Sequence, residues 1–244
     1  YSLGNGNRLA VEPGALLESA EWLQGFRAWL MDRYPAVEDL NRAWATTLES
    51  WDAVTPEVME PVPASGVFAP WLDYRRFLDA AFAQLHAEGR ETVQAVDRDG
   101  RTGFCAATPD KIVVPYDWAS LAPRLTALAL YPDPLAVEEV RSYLPPFAPA
   151  ALVLSHRPGA PASWSHWMPW YQVLHGFSGV WLTGTCGAAD ADDATVSLEP
   201  GGRPSPETAA AASRFHELGH GLGALLLAAG RAHPRTAIYG SPDS

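Results

Sequence analysis

The sequence is poor in lysine and cysteine, and it has no long uninterrupted hydrophobic segment. Of its 17 basic residues only one is a lysine, and 28 acidic residues give a net charge of -11. A field of this sign repels phosphate backbones and anionic lipids, which argues against nucleic acid and membrane surfaces as partners. No uncharged apolar run approaches the roughly 20 residues that a bilayer-spanning helix needs, which argues against a membrane protein.

Metal and nucleotide signatures of the usual kinds are also scarce. Cys105 and Cys186 are too few for a disulfide framework and lack the spacing of metal ligands. The opening Gly4-Asn5-Gly6-Asn7 lacks the later glycine and the helix start of a phosphate-binding loop. We therefore expect no cofactor. Ten tryptophans, eight phenylalanines and eight tyrosines in 244 residues exclude disorder and provide for a sizeable core.

Short apolar strands alternate with amphipathic helices along the chain. The predicted strands cover residues 102–106, 125–131, 150–154 and 179–183. The predicted helices cover residues 22–34, 37–44, 71–96, 135–144, 166–175 and 206–229. Uniformly apolar strands are typical of parallel strands covered by helices, so the pattern predicts an α/β fold. Without a phosphate loop, a barrel is favoured over a doubly wound nucleotide-binding sheet.

In a barrel of this kind ligands bind where the strands end. Polar and aromatic residues near the predicted ends combine amides, hydroxyls and flat rings, which suits the apolar face and hydroxyls of a sugar. The candidate contacts are Asn5, Tyr131, Asp133, Ser155, His156, Trp170 and Trp181. A second interpretation is that the tryptophans pack helices on the barrel exterior and that the acids cap helices.

Both ends of the sequence predict that it is an excerpt of a longer polypeptide. It opens at Tyr1 without a methionine, a signal peptide or helix-start residues. Near the end, residues 235–241 have the pattern of a strand that is just beginning.

Several segments together resemble the family 42 glycoside hydrolases, of the β-galactosidase type. The clearest are FRAWL at 26–30 and EDLNRAWATT at 38–47, continued by WDAVTP at 51–56. WLDYRRF at 71–77 and LHGFSGV at 174–180 are similar to that family as well. The resemblance implies a (β/α)8 TIM barrel, of which residues 1–233 are the later part, from about strand four to strand eight. Residues 234–244 would begin the family's next, flavodoxin-like domain, which implies a homotrimer assembled through that domain.

The resemblance also implies where the chemistry belongs. A retaining glycosidase uses an acid/base carboxyl and a nucleophilic carboxylate roughly 5 Å apart. By resemblance the acid/base glutamate falls at Gly6, directly after Asn5, and the nucleophile falls at Ser155. Neither position carries a carboxylate. We therefore expect a protein that acts on or binds a β-galactoside-type carbohydrate with an impaired hydrolytic site; a non-catalytic carbohydrate-binding or structural barrel is the alternative.

A different motif, His216-Glu217-Leu218-Gly219-His220, fits the helical zinc pattern in which two histidines bind the metal and the glutamate activates water. The third histidine of the extended motif is replaced by Leu226, which cannot coordinate. The apolar residues of this predicted helix form a stripe that leaves both histidines on the opposite, solvent-facing side. A zinc metallopeptidase that uses His216, Glu217 and His220 is therefore a further alternative, and no metal site is expected on the main interpretation.

Overall fold

A computed structural model describes residues 1–7, 9, 15–56, 66–106, 116–144, 148–155, 164–183, 185–186, 196–198, 202–204 and 206–229. These residues form an α/β structure built on a five-stranded parallel sheet. The strands are β1 (Ser2–Asn5), β2 (Gly103–Ala106), β3 (Leu128–Leu130), β4 (Ala150–Ser155) and β5 (Gly179–Thr183). The strands predicted between residues 102 and 183 are thus confirmed in number and order.

Helices connect successive strands and follow the last one. They are α1 (Ala20–Arg33), α2 (Val37–Trp44), α3 (Ala69–Val96), α4 (Trp118–Leu121), α5 (Pro134–Tyr143), α6 (Trp164–Leu174), α7 (Pro206–Gly219) and α8 (Leu222–Ala228). The single helix predicted over residues 206–229 is wrong, because the turn at His220 and Gly221 divides it. None of the described helices combines the length and the apolar character needed to cross a membrane.

The two faces of the sheet differ in what covers them. Phe104, Leu128 and Leu152 pack with residues of α3, α4, α5 and α6 in one large core cluster. On the other face, Cys105, Ala129 and Val153 form a separate small cluster made of residues in or next to strands. We call this second face the inner face. Side chains alternate between faces along a strand, so every second residue of β2, β3 and β4 belongs to each cluster.

Strand order distinguishes two classes of parallel α/β fold. The order β1-β2-β3-β4-β5 follows the chain without reversal. A doubly wound sheet reverses its order at a switch point and carries helices on both faces, whereas an arc of a (β/α)8 barrel does neither. The described strands therefore lack the order reversal of a doubly wound sheet, and the described helices pack on one face of β2, β3 and β4.

A second core cluster joins α1, α2 and α3 between β1 and β2. Its centre is Phe26, which contacts the rings of Trp44, Tyr74 and Phe77. The carboxylate of Asp73 is buried beside it. Asp73 Oδ2 accepts hydrogen bonds from Tyr34 Oη at 2.6 Å and Trp44 Nε1 at 2.8 Å, and Arg33 pairs with its other oxygen at 3.2 Å. One buried acid thus ties the three helices together.

Beyond β5, the structure adds elements that sequence periodicity did not reveal. Strands β6 (Thr185–Cys186) and β7 (Val196–Leu198) pair in parallel as a separate two-stranded sheet. They are too short for a hydrophobic alternation to be read from the sequence. The predicted second domain at residues 234–244 lies outside the described residues.

Candidate functional site

Strand register brings together residues that are distant in sequence at the carboxyl edge of the inner face. Asn5 is paired with Cys105, and Cys105 with Ala129. Paired residues in a parallel sheet point to the same side, so Asn5 shares the inner face with Cys105. Tyr131 lies two residues after Ala129 and packs against the same cluster, half-buried. Asn5, Cys105 and Tyr131 therefore lie along the same face at the strand ends, and we call this place the carboxyl-edge site.

A one-residue irregularity in β1 sets the direction of Asn5. Ser2 pairs with Gly103 and Asn5 with Cys105, so three steps along β1 match two steps along β2. A bulge of this kind restores the side-chain direction that simple alternation would reverse. Ser2 and Asn5 consequently both face inward.

Gly6 follows Asn5 in a conformation that suits glycine. Its φ is 65°, in the left-handed region, and its N–H donates a 2.8 Å hydrogen bond to the carbonyl oxygen of Cys105. A residue with a side chain pays about 1–2 kcal/mol for that backbone geometry. Gly6 has no side chain that could give or take a proton, and its backbone is tied to β2.

The loop after β1 is held by α3 and by Tyr116. Asn7 Nδ2 donates to the carbonyl of Leu3 at 3.1 Å and lies 3.4 Å from Nε2 of His86. The Tyr116 hydroxyl donates to the carbonyl of Asn7 at 2.8 Å. A Cβ at Gly4 would lie 2.0 Å from the Asn7 side chain, so glycine is required there for this packing.

His86 is buried between aromatic rings and is a neutral hydrogen-bonding group. Its ring lies 4.4 Å from that of Phe82 and 4.7 Å from that of Phe104, measured between centroids. Nδ1 lies 2.8 Å from the carbonyl of Phe82, which only accepts, so Nδ1 carries the proton and Nε2 accepts from Asn7. Burial lowers the pKa of His86, and the bond to Phe82 opposes this shift.

Cys105 is a buried thiol on the floor of the carboxyl-edge site. Burial raises its pKa, while hydrogen bonding with the Tyr131 side chain acts in the opposite direction. The thiol is therefore the form present near neutral pH, and it behaves as a small apolar group with a weak donor. Cys105 is not among the ligand contacts predicted from the sequence, although its place one residue before the end of a strand was a usable signal.

Ser155 and His156 belong to the next part of the same edge. Ser155 is the last residue of β4 and is paired with Thr183, the last residue of β5. Its backbone therefore ends at the carboxyl edge, as the sequence predicts. His156 lies outside the described residues.

Three of the predicted ligand contacts have other surroundings. Asp133 is the N-cap of α5, and its Oδ1 accepts from the N–H of Ala136 at 2.8 Å, so the capping interpretation describes it. Trp181 is on the inner face beside Val153, and it lines a cavity of about 390 Å³ with Tyr1 and Ser2.

Trp170 lies in the helical layer. It lines a groove of about 590 Å³ formed with residues of α7 and the turn that follows, away from the inner face. The residue is 40% exposed, so it is not completely packed in the helical exterior. The structure therefore places Trp170 in this groove, and its role as a ligand contact stays a prediction.

The zinc-like motif lies at the end of α7. His216 and His220 are both exposed, as the apolar stripe predicts. Glu217 is paired with Arg214 at 2.8 Å and faces the groove that Trp170 lines. Within the part of the chain that the structure describes, no group of three or more His, Cys, Asp or Glu could hold a metal ion. The described motif therefore lacks the third protein ligand of a catalytic zinc site.

Comparison with known proteins relates the helical cluster to a known family. Residues 15–121 match the family model Glyco_hydro_42, described as beta-galactosidase. Over these residues the chain is similar to the family 42 glycoside hydrolases. The resemblance predicted from the α1–α3 motifs is thereby confirmed. The matched range contains the Asp73 network and ends before β3, so Gly6 and Ser155 both lie outside it.

Curated beta-galactosidases are similar to parts of this chain at modest identity. The beta-galactosidase LacZ of Heyndrickxia coagulans is 27% identical over 121 residues, which are 46% of this chain and 17% of the relative. The beta-galactosidase BgaH of Haloferax lucentense is 36% identical over 72 residues, 26% of this chain and 11% of the relative. The chain thus spans less than a fifth of the length of these curated relatives.

Solved structures extend the likeness to most of the chain. A beta-galactosidase from Bacillus circulans sp. alkalophilus matches with a TM-score of 0.62 at 19% identity, covering 84% of this chain and 34% of that one. A beta-galactosidase from Halorubrum lacusprofundi matches with a TM-score of 0.57 at 20% identity, covering 80% and 34%. At this identity the likeness concerns the fold alone, which in these neighbours is of the TIM-barrel type.

Proposed function

We propose that this chain is the later part of a family 42-like (β/α)8 barrel that binds a β-galactoside-type carbohydrate at the carboxyl-edge site. We propose further that hydrolysis there is impaired, because the two positions assigned to the catalytic carboxylates are Gly6 and Ser155. On this assignment β1 corresponds to the fourth strand of the barrel and β4 to the seventh.

The observation that carries the proposal is Gly6. It directly follows Asn5 on the inner face, where the family resemblance requires the general acid, and it offers no ionisable group. Its positive φ and its N–H bond to Cys105 belong to a loop adapted to glycine. Loss of general acid catalysis alone costs roughly 10²–10⁴-fold in rate, and loss of the covalent nucleophile adds to that cost.

The chemistry of the carboxyl-edge site supports a neutral, hydroxyl-rich ligand. It combines the Asn5 amide, the Tyr131 phenol and the buried Cys105 thiol, and none of these three groups is a carboxylate, an ammonium or a guanidinium. An amide and a phenol can donate to and accept from sugar hydroxyls, and the phenol ring can contact the apolar face of a pyranose. Asp133 is left out because its carboxylate caps α5.

Turnover of p-nitrophenyl β-galactoside tests the impairment. We expect a rate at least roughly 10²-fold below that of a family 42 enzyme with both carboxylates, measured side by side at equal concentrations. A comparable rate would overturn the impairment and show that other groups supply the acid and the nucleophile.

Calorimetric titration with lactose tests binding at the carboxyl-edge site. We expect Tyr131→Ala to weaken the affinity by roughly tenfold, which corresponds to about 1.4 kcal/mol. Tyr143→Ala is the matched control, because Tyr143 is an exposed tyrosine at the end of α5 and outside the site. Absence of binding by the unaltered protein would favour a purely structural barrel. An equal loss of affinity in both variants would show that the ligand does not bind at the carboxyl edge.

The domain arrangement completes the proposal. By resemblance, residues 1–233 belong to the barrel and residues 234–244 to the start of a flavodoxin-like domain through which homotrimers assemble. Light scattering on a protein that contains that whole domain tests this part, since a mass of one protomer would contradict it.

A further inference from the structure

We infer that His216 and His220 form a two-imidazole site for a borderline divalent cation such as Zn²⁺ or Ni²⁺, on the solvent side of α7. The site is separate from the carboxyl-edge site and does not depend on the proposed function. It is a metal-binding site and not the catalytic centre of a peptidase. It uses only the two histidines of the zinc-like motif, which are exposed.

The two rings are already close enough to act together. Their centroids are 4.0 Å apart, with an angle of 40° between the ring planes. Residues four apart on a helix face the same side, and the backbone bond from the His220 N–H to the His216 carbonyl at 3.1 Å continues this geometry past Gly219. Both side chains are exposed, so a hydrated cation reaches them without any rearrangement of the core.

A hydrogen bond made by the His220 side chain leaves its Nε2 available for a metal. Its Nδ1 lies 3.0 Å from the carbonyl oxygen of His216. A carbonyl only accepts, so Nδ1 carries the proton, and in the neutral ring Nε2 has the free lone pair. Metal-ligating histidines characteristically donate their other N–H to a carbonyl or carboxylate, which fixes the tautomer and the ring orientation.

The electrostatic environment also favours a cation. The pair lies at the carboxyl end of α7, where the helix dipole places partial negative charge. The whole chain carries a net charge of -11, which adds a general attraction for cations. Two neutral imidazoles prefer Zn²⁺, Ni²⁺ and Cu²⁺ over the oxygen-seeking Mg²⁺ and Ca²⁺.

Glu217 is not part of this site. Its carboxylate is paired with Arg214 at 2.8 Å and lines the groove beside Trp170. With two protein ligands, the remaining coordination positions belong to water.

Calorimetric titration of the 244-residue protein with NiCl₂, ZnCl₂ and MgCl₂ tests the inference. We expect binding of Ni²⁺ and Zn²⁺ and none of Mg²⁺. His216→Ala and His220→Ala are each expected to weaken that binding by at least the roughly 10–100-fold that loss of an outer-shell partner costs. Unchanged affinity in both variants, or equal binding of Mg²⁺, would overturn the site.

Two further variants test whether the cation binds at this pair alone. His175→Gln removes a histidine that is paired with Glu138 on another helix and should leave the affinity unchanged. Glu217→Gln should also leave it unchanged, whereas a loss in that variant would contradict a site made of two imidazoles. Ni²⁺-induced broadening of imidazole NMR signals provides a second readout, because only His216 and His220 should broaden strongly at low metal ratios.

Discussion

Nε2 of His86 in α3 accepts a hydrogen bond from Nδ2 of Asn7, 3.4 Å away, and so links the long helix to the loop that contains Gly6. The Asn7 amide can donate this hydrogen bond only when the His86 imidazole is neutral. His86 therefore helps to position Asn7, and its protonation state is coupled to the loop.

Stability should depend on pH through His86. Burial lowers its pKa below the ordinary 6.5, so the unfolded chain takes up a proton at higher pH than the folded protein does. The contribution of His86 is fully present above pH 6.5 and is lost as the pH falls through its lower folded value. Urea unfolding between about pH 7.5 and about pH 5 should show this fall, and His86→Gln should reduce it. An identical pH dependence in the variant would contradict the assignment.

Loss of the buried carboxylate should destabilise the helical cluster. Asp73→Ala leaves the buried Trp44 Nε1 without its acceptor, and an unsatisfied buried donor costs about 1–3 kcal/mol. Asp73→Asn keeps an acceptor oxygen and should cost less. The matched control is Asp52→Ala, because Asp52 is 92% exposed in its pair with Arg27. Chemical unfolding measures all three, and an equal loss for Asp73→Ala and Asp52→Ala would refute the role of the network.

Substitution of Gly6 should be costly because of its backbone. Gly6→Ala places a side chain at φ 65° and should lower the free energy of unfolding by about 1–2 kcal/mol. Gly219→Ala is the control, since a Cβ there meets open space at the end of α7. That control should be neutral or slightly stabilising. A tolerated Gly6→Ala would mean that the loop adopts another conformation.

Asp133 should be a structural residue. Asp133→Ala removes the N-cap of α5 and should cost about 1 kcal/mol of stability. Asp133→Asn should retain most of it, because asparagine is an equally good N-cap. Lactose affinity should be the same in both variants and in the unaltered protein. A selective loss of affinity in Asp133→Asn would restore this carboxylate to the ligand contacts.

Much of the fold follows from local patterns. The apolar spacing of Phe26, Leu30, Leu40 and Trp44 predicts α1 and α2 because residues three and four apart share a helix face. The same spacing predicted a single helix over residues 206–229, which is wrong. Leu222 and Leu225 continue the apolar spacing, but the backbone turns at Gly221 and both leucines are exposed. Apolar periodicity indicates which residues would share a helix face, but it does not indicate where the helix ends.

The sequence by itself determined the alternation of strands and helices, the similarity of residues 15–121 to family 42, and the lack of a carboxylate at positions 6 and 155. Tertiary structure alone decided which residues share the inner face. A bulge in β1 turns Asn5 toward Cys105, and pairing across about a hundred residues of chain sets that register. Side-chain direction alternates with every residue of a strand, so one extra residue changes the face, and no local pattern in the sequence specifies it.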